Sequence, residues 1–405
     1  MNSGHLFLLT ASLLVSGSSA PWKDKNYVTV PVVFDHNRMI IEGEIQRKDG
    51  NWRKARLWVD SGNPDFIMSE ALAKDLGMDL GARQGDAVSI ELSASPGIRI
   101  ASMPLDFKGV KSKVIFEPRW IFSTMHIDAN LPSRALMHYQ VVFDYPGKQL
   151  TLAAPGTLKP DGMRIPSSVN YQTGIVQVGS VIAGDTLSLA IDNGASYSFI
   201  SESRQKKYSG ANAGWPLCTG AAGCANIWGW WPMENSWTVV RVPEITLGPV
   251  RLENTGIVGL PDIFSGGAGL EEWYSLKTAK PVAGFLGPNA FRDFRIEIDY
   301  AKNEVYFKNT GNSDPHDMDI VGLTLRLNDD GSYEVAGIVM KNGKPVTSGI
   351  EPGDLLLQVD GFKTSGETMG PVIDALRGKP GDEHLLTLER NRVKIQVKTR
   401  VERIL

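Results

Sequence analysis

Large apolar residues recur at every second position along much of this chain. Leu187, Leu189 and Ile191 follow the pattern, as do Ile90 with Leu92, Ile98 with Ile100, Val141 with Phe143, and Ile296 with Ile298. Period two is the mark of a strand with one face buried. Further strands are expected over 333–339, 383–389 and 393–401. Residues 368–376 break the alternation and predict a helix that ends at Arg377-Gly378. The chain's 42 glycines and 23 prolines supply many turns. The pattern predicts a mainly β protein.

Set against itself, the chain shows two copies of one motif. Leu57-Trp58-Val59-Asp60-Ser61-Gly62 is followed by Phe66-Ile67, and Leu189-Ala190-Ile191-Asp192-Asn193-Gly194 by Phe199-Ile200. In each, a strand runs into an acid, a small polar residue and a glycine that suits a sharp turn or close backbone approach. Each copy closes on a second shared pattern. Asn130-Leu131-Pro132 leads through Tyr139, Val141 and Phe143 to Asp144-Tyr145, and Phe285-Leu286-Gly287 leads through Phe294, Ile296 and Ile298 to Asp299-Tyr300. Both read as a turn, a short helix and a hairpin. Two related β-rich lobes are therefore expected, 25–154 and 167–309. The Pro- and Gly-rich stretch 155–166 reads as a linker, as does the polar stretch 310–319, and 320–405 is expected as a third domain.

Composition narrows the function. Of 405 residues, 42 are Lys or Arg and 45 Asp or Glu, a formal net charge of -3, which argues against a nucleic-acid binder. Two cysteines and six histidines are too few and too scattered for a zinc array, and no phosphate-binding glycine motif occurs in a strand–helix context. The reading calls for no metal and no cofactor. Near the N-terminus, the apolar run from Leu6 to Val15 ends in Ser16-Gly17-Ser18-Ser19-Ala20. It is too short to span a bilayer and has the form of a secretory signal peptide over 1–20. The n-region lacks Lys and Arg, and Pro21 disfavours cleavage after Ala20. No later segment is expected to span a membrane. Export to a periplasmic or extracellular space makes a Cys218–Cys224 disulfide the expected pairing; two reduced buried thiols are the other reading.

The duplicated hydrophobic-hydrophobic-Asp-Ser/Asn-Gly motif, with its distal Phe-Leu-Gly-like partner, resembles the pepsin/retropepsin-like aspartic proteases over residues 27–309. The resemblance implies two acid-protease-like β-barrel lobes, each giving one catalytic acid, here Asp60 and Asp192. Two close carboxylates share a proton, so one can activate water while the other donates to the scissile carbonyl. Ser61, Gly62, Asn193, Gly194 and Gly287 would support the loops. Asn193 stands where the family carries Thr or Ser, and Pro132 stands where copy two keeps Gly287. The alternative is a protease-like scaffold that has lost catalysis and binds peptides. Ser89 to Phe107 reads either as a cleft-covering flap or as an ordinary surface hairpin. Trp215, Trp228, Trp230, Trp231 and Trp237 beside the cysteines form either a substrate platform or a local aromatic core. Ser265-Gly266-Gly267 is similar to part of the serine-protease motif, but Ile263 replaces its glycine and no histidine is arranged as a triad base.

The C-terminal stretch Gly349-Ile350-Glu351-Pro352-Gly353-Asp354-Leu355, then Val359-Asp360-Gly361, resembles a PDZ domain across nearly the whole of 320–405. Such domains bind extended peptides by adding a strand and holding a terminal carboxylate on backbone amides. By that resemblance Val321, Gly322, Leu323, Thr324 and Leu325 form the peptide-receiving loop and edge. A PDZ fold used only for packing is the other reading. The expected partners are a peptide or protein substrate and a PDZ peptide ligand. The expected function is an exported aspartic endopeptidase.

Overall fold

A computed structural model of the chain describes residues 26–81, 87–116, 121–220, 237–262, 269–311 and 317–405. The protein is mainly β, with barrel-like sheets. The duplicated sequence motif corresponds to a duplicated strand wiring. In the first copy, Trp52–Asp60 runs parallel to Ala129–Pro132, which is antiparallel to Phe66–Ser69, which is parallel to Ser112–Ile115. In the second, Asp185–Ile191 runs parallel to Gly284–Leu286, which is antiparallel to Ser198–Ser201, which is parallel to Val250–Leu260. Each acid thus lies at the end of a strand that pairs with its distal partner. Pro132 stands opposite Asp60, and the Asp192 amide donates to the carbonyl of Leu286, beside Gly287.

The two Asp-Tyr hairpins meet in one six-stranded sheet. Gln140–Asp144 and Phe294–Asp299 pair antiparallel, with Phe143 opposite Ile296 and Val141 opposite Ile298. All four side chains are fully buried. Period-two alternation thus becomes a shared apolar layer beneath both acid loops. Removing fully buried aliphatic side chains from such a layer typically costs about 2–5 kcal/mol each.

Both expected linkers are more structured than their composition suggests. Met163–Ile165 adds an antiparallel strand to Val305–Phe307, with Ile165 buried. Pro and Gly bound this strand without preventing it, because Ile165 supplies an apolar anchor. Asp317, Met318 and Asp319 are buried rather than solvated. Asp317 receives Arg241 at 2.8 Å and also pairs with Arg292. Losing one partner of a buried ion pair strands the other and typically costs about 3–5 kcal/mol.

The C-terminal segment forms its own sheet in the order Leu323–Leu327, Tyr333–Ile338, Leu355–Val359, Glu383–Arg390, Val393–Arg400, with helix Met369–Ala375. Its core is continuous with the second half: Tyr197, Phe199, Tyr274 and Phe285 belong to the same cluster as Val321, Leu323, Ile350 and Leu376. The expected hairpin over Ser89 to Phe107 is absent. Ser89–Glu91 pairs with Ser112–Ile115, while Ile98–Ile100 pairs with Arg38–Gln46 and with Met103–Pro104. Burial decides this: Ile98 and Ile100 lie in the core, so their strand joins the main sheet. Among the described residues, no helix is long and apolar enough to cross a membrane.

Candidate active site

The structure brings Asp60 and Asp192 together through their glycines. A Cβ placed on Gly62 would lie 2.5 Å from Asp192 Oδ1, and one on Gly194 would lie 2.7 Å from Asp60 Cγ. Each loop therefore packs its glycine on the other loop's carboxyl. Only hydrogen fits at either position, so the glycines serve close approach rather than unusual backbone angles. Gly287 has the same need, since a Cβ there would lie 3.0 Å from the Ser198 nitrogen. Its amide donates to Ser198 Oγ at 2.9 Å.

The loops are braced unequally. Ser61 Oγ donates to the Ile191 carbonyl at 3.0 Å and accepts from the Asn193 amide at 3.0 Å. Asn193 does not return this bridge with its side chain. Its Oδ1 accepts from Tyr145 Oη at 2.6 Å, and its buried Nδ2 has no acceptor among the described residues. Tyr145 belongs to the Asp-Tyr pattern of the first copy, so one half's hairpin holds the other half's acid loop.

The two acids also sit in different surroundings. Asp60 accepts from Gly62 N at 3.2 Å and from Asn130 Nδ2 at 3.5 Å. Burial, then the charge of Asp192, pushes its pKa well above the usual carboxylate range. Asp192 accepts shorter backbone bonds from Gly194 at 2.8 Å and Ala195 at 3.1 Å. Burial raises it to about 6, opposed by those amides and by the charges of Arg38 and Lys277. The pair titrates jointly, and the environment favours the proton on Asp60 and the charge on Asp192.

Four supporting residues carried no signal in the repeat. Tyr274 Oη donates to the Gly62 carbonyl. Lys277 lies over the Trp273 ring at 3.9 Å. His36 and Asn37 form a two-residue hairpin turn, both at positive φ, and Arg38 directly follows it, opposite Asp35. Asn37 Nδ2 donates to the Ser196 carbonyl at 3.0 Å, and Arg38 Nε to the Gly194 carbonyl at 2.9 Å. Asp35, at the turn's other end, accepts from Thr368 Oγ1 and, at 2.8 Å, from Gly370 N. The turn thus joins the C-terminal helix to the Asp192 loop.

Other expected sites fare differently. Val321, Gly322, Leu323, Thr324 and Leu325 are all buried. Leu323–Leu327 lies at one end of its sheet order, with Leu323, Thr324 and Leu325 buried and Arg326 and Leu327 half-buried. Cys218 is buried; Cys224 lies outside the described residues, and with it the expected disulfide. Ser265, Trp228, Trp230 and Trp231 also lie outside them. Trp237 is buried and Trp215 packs on the core, which fits a packing role for these two. A cavity of about 540 Å³ is lined by Ser201, Arg204, Lys207, Asp262 and Glu271, away from the acid pair. Arg204 and Glu271 there satisfy each other at 2.9 and 2.7 Å. The chemistry therefore points to the acids rather than to this cavity. No protein-family model and no curated protein matches the chain.

Proposed function

We propose that this protein is a pepsin/retropepsin-like aspartic endopeptidase with a C-terminal PDZ domain. The observation that carries this reading is the reciprocal packing of Gly62 on Asp192 and Gly194 on Asp60. Asp192 serves as the base and Asp60 as the acid. Water adds to the peptide carbonyl carbon as its proton passes to Asp192, while the Asp60 proton passes to the carbonyl oxygen. On collapse the C–N bond breaks, the proton on Asp192 goes to the leaving amine, and the diol returns one to Asp60. Positioned acid–base groups of this kind typically contribute about 10²–10⁴-fold. The apolar run from Leu6 to Val15 supports export. For the PDZ domain, the end position of Leu323–Leu327 in its sheet supports strand addition.

The test is cleavage of a peptide library from acid to neutral pH by the wild type, Asp60→Asn and Asp192→Asn. Loss of cleavage in both variants is expected; activity surviving in either removes the pair from the mechanism. The second reading, a non-catalytic peptide-binding scaffold, is favoured by Asn193 Nδ2, which is buried without a partner among the described residues. It predicts peptide binding without cleavage at any pH.

A further inference from the structure

Lys277 is tied to the Asp60 loop from two directions. Three residues earlier, Tyr274 Oη donates to the Gly62 carbonyl, and the Lys277 amide donates to the Tyr274 carbonyl at 2.8 Å. From the other side, Ser133 N donates to the Asn63 carbonyl at 2.9 Å. Ser133 Oγ reaches the Thr173 carbonyl at 2.7 Å, and Thr173 Oγ1 reaches the Lys277 carbonyl at 2.7 Å. The residue is therefore held by backbone contacts that close on the acid loop itself.

Its side chain is half-buried, with the ammonium 3.9 Å from the Trp273 ring centre and 5.7 Å from that of Tyr274. It forms no ion pair with an acid among the described residues. Asp65, the acid on the same loop, is already paired with Lys113 at 2.6 Å. Burial holds the Lys277 pKa below its ordinary value, against the charges of Asp65 and Asp60. A cation kept partly out of water costs free energy unless an anion completes it. Asp60 and Asp192 act on it electrostatically, but neither forms an ion pair with it.

We infer that Lys277 is a specificity-determining residue that receives a carboxylate of the substrate close to the scissile bond. The inference rests on the endopeptidase reading, because the acid pair defines where that bond lies. The carboxylate has two sources, an Asp or Glu side chain or the free C-terminus of a short peptide. Trp273 and Tyr274 flank the ammonium, and a charge-assisted hydrogen bond to a substrate carboxylate would orient the peptide across the acids.

The test uses a cleaved fluorogenic peptide remade in matched forms. One pair exchanges Glu for Gln at positions within two residues of the scissile bond, and another exchanges a C-terminal acid for its amide. The full-length wild type should prefer a carboxylate form by roughly ten- to hundredfold in kcat/KM, the usual range for a charge-assisted bond. In Lys277→Met, which keeps the stem over Trp273, the two forms should converge; Lys277→Arg should retain the preference. Which pair responds identifies the source. No preference in the wild type, or an equal loss for both forms in Lys277→Met, overturns the inference. The same peptides titrated calorimetrically onto Asp60→Asn separate this inference from the endopeptidase reading. Tighter binding of the acid form, abolished by adding Lys277→Met, sustains it even if the wild type cleaves nothing. Equal binding of both forms removes it.

Discussion

The Asp60 and Asp192 loops share a strand wiring and a glycine contact, yet they are stabilised by different groups. Ser61 makes the bridge between the loops alone, while Asn193 is held by Tyr145 from the shared hairpin sheet. Asp192 receives two backbone amides and the field of Arg38; Asp60 receives one amide and a long carboxamide contact, and the field of Lys277 reaches both. Duplication supplies the geometry that brings two acids together. Divergence around it supplies the inequality that lets one hold a proton while the other stays ionised.

The largest test of that inequality is stability against pH. An unfolded Asp ionises near 3.8, whereas Asp192 in the fold is raised to about 6. As pH rises between these values the unfolded chain loses its proton first. Stability fully present below the lower value is therefore lost as pH passes through the upper one. Asp192→Asn removes this loss and keeps an oxygen for the Gly194 and Ala195 amides. We expect it to gain on the order of 3 kcal/mol above pH 6 and little below pH 3.8, while losing cleavage. Denaturant unfolding across pH checks this; equal gains at both ends would mean that Asp192 is not raised by burial.

Next in size are the glycines. Gly62→Ala and Gly194→Ala should each lower kcat/KM by about a hundredfold, since a displacement of about 1 Å is enough to misplace the reacting groups. Similar losses in both would support reciprocal packing. A loss confined to one would mean that only one loop sets the spacing.

Much of this arrangement was legible in the sequence, and the reasons differ by residue. Asp60, Gly62, Asp192 and Gly194 were visible because strand, turn and close approach are local and occur twice. The C-terminal helix and final strands were visible through period changes, close to their observed bounds. Tyr145 lay in the shared pattern, but nothing in its spacing pointed to Asn193, 48 residues away. Arg38 and Tyr274 act across 156 and 212 residues and occur in one copy only, so the repeat could not reveal them. Ile98 and Ile100 gave a correct strand but the wrong partner. Alternation fixes which face is buried, not which neighbour completes the sheet.

A smaller effect separates the two braces. Ser61→Ala leaves the Asn193 amide and Ile191 carbonyl unpaired in a buried site and should cost about 2 kcal/mol. Tyr145→Phe leaves only Asn193 Oδ1 unpaired and should cost about 1 kcal/mol. If Tyr145→Phe costs more in thermal unfolding, the hairpin sheet rather than the Ser61 bridge is the main support of the second loop.

The smallest expected change reaches the acids from outside both loops. Asp35 caps the helix Met369–Ala375 in place of that helix's own Thr368, which makes no side-chain cap. Caps of this kind are worth about 1 kcal/mol, so Asp35→Ala should lower stability by about that amount. The same turn places Asn37 on the Ser196 carbonyl and Arg38 on the Gly194 carbonyl. Loosening it should therefore reduce kcat several-fold with little change in KM, because the Asp192 loop shifts while the peptide contacts remain. Thr368→Ala removes one of the two bonds to Asp35 and should do less of both. Stability that falls without any change in kcat would make the turn a strut alone. The difference between the two acid loops would then arise wholly within residues 27–309, with the C-terminal segment playing no part in it.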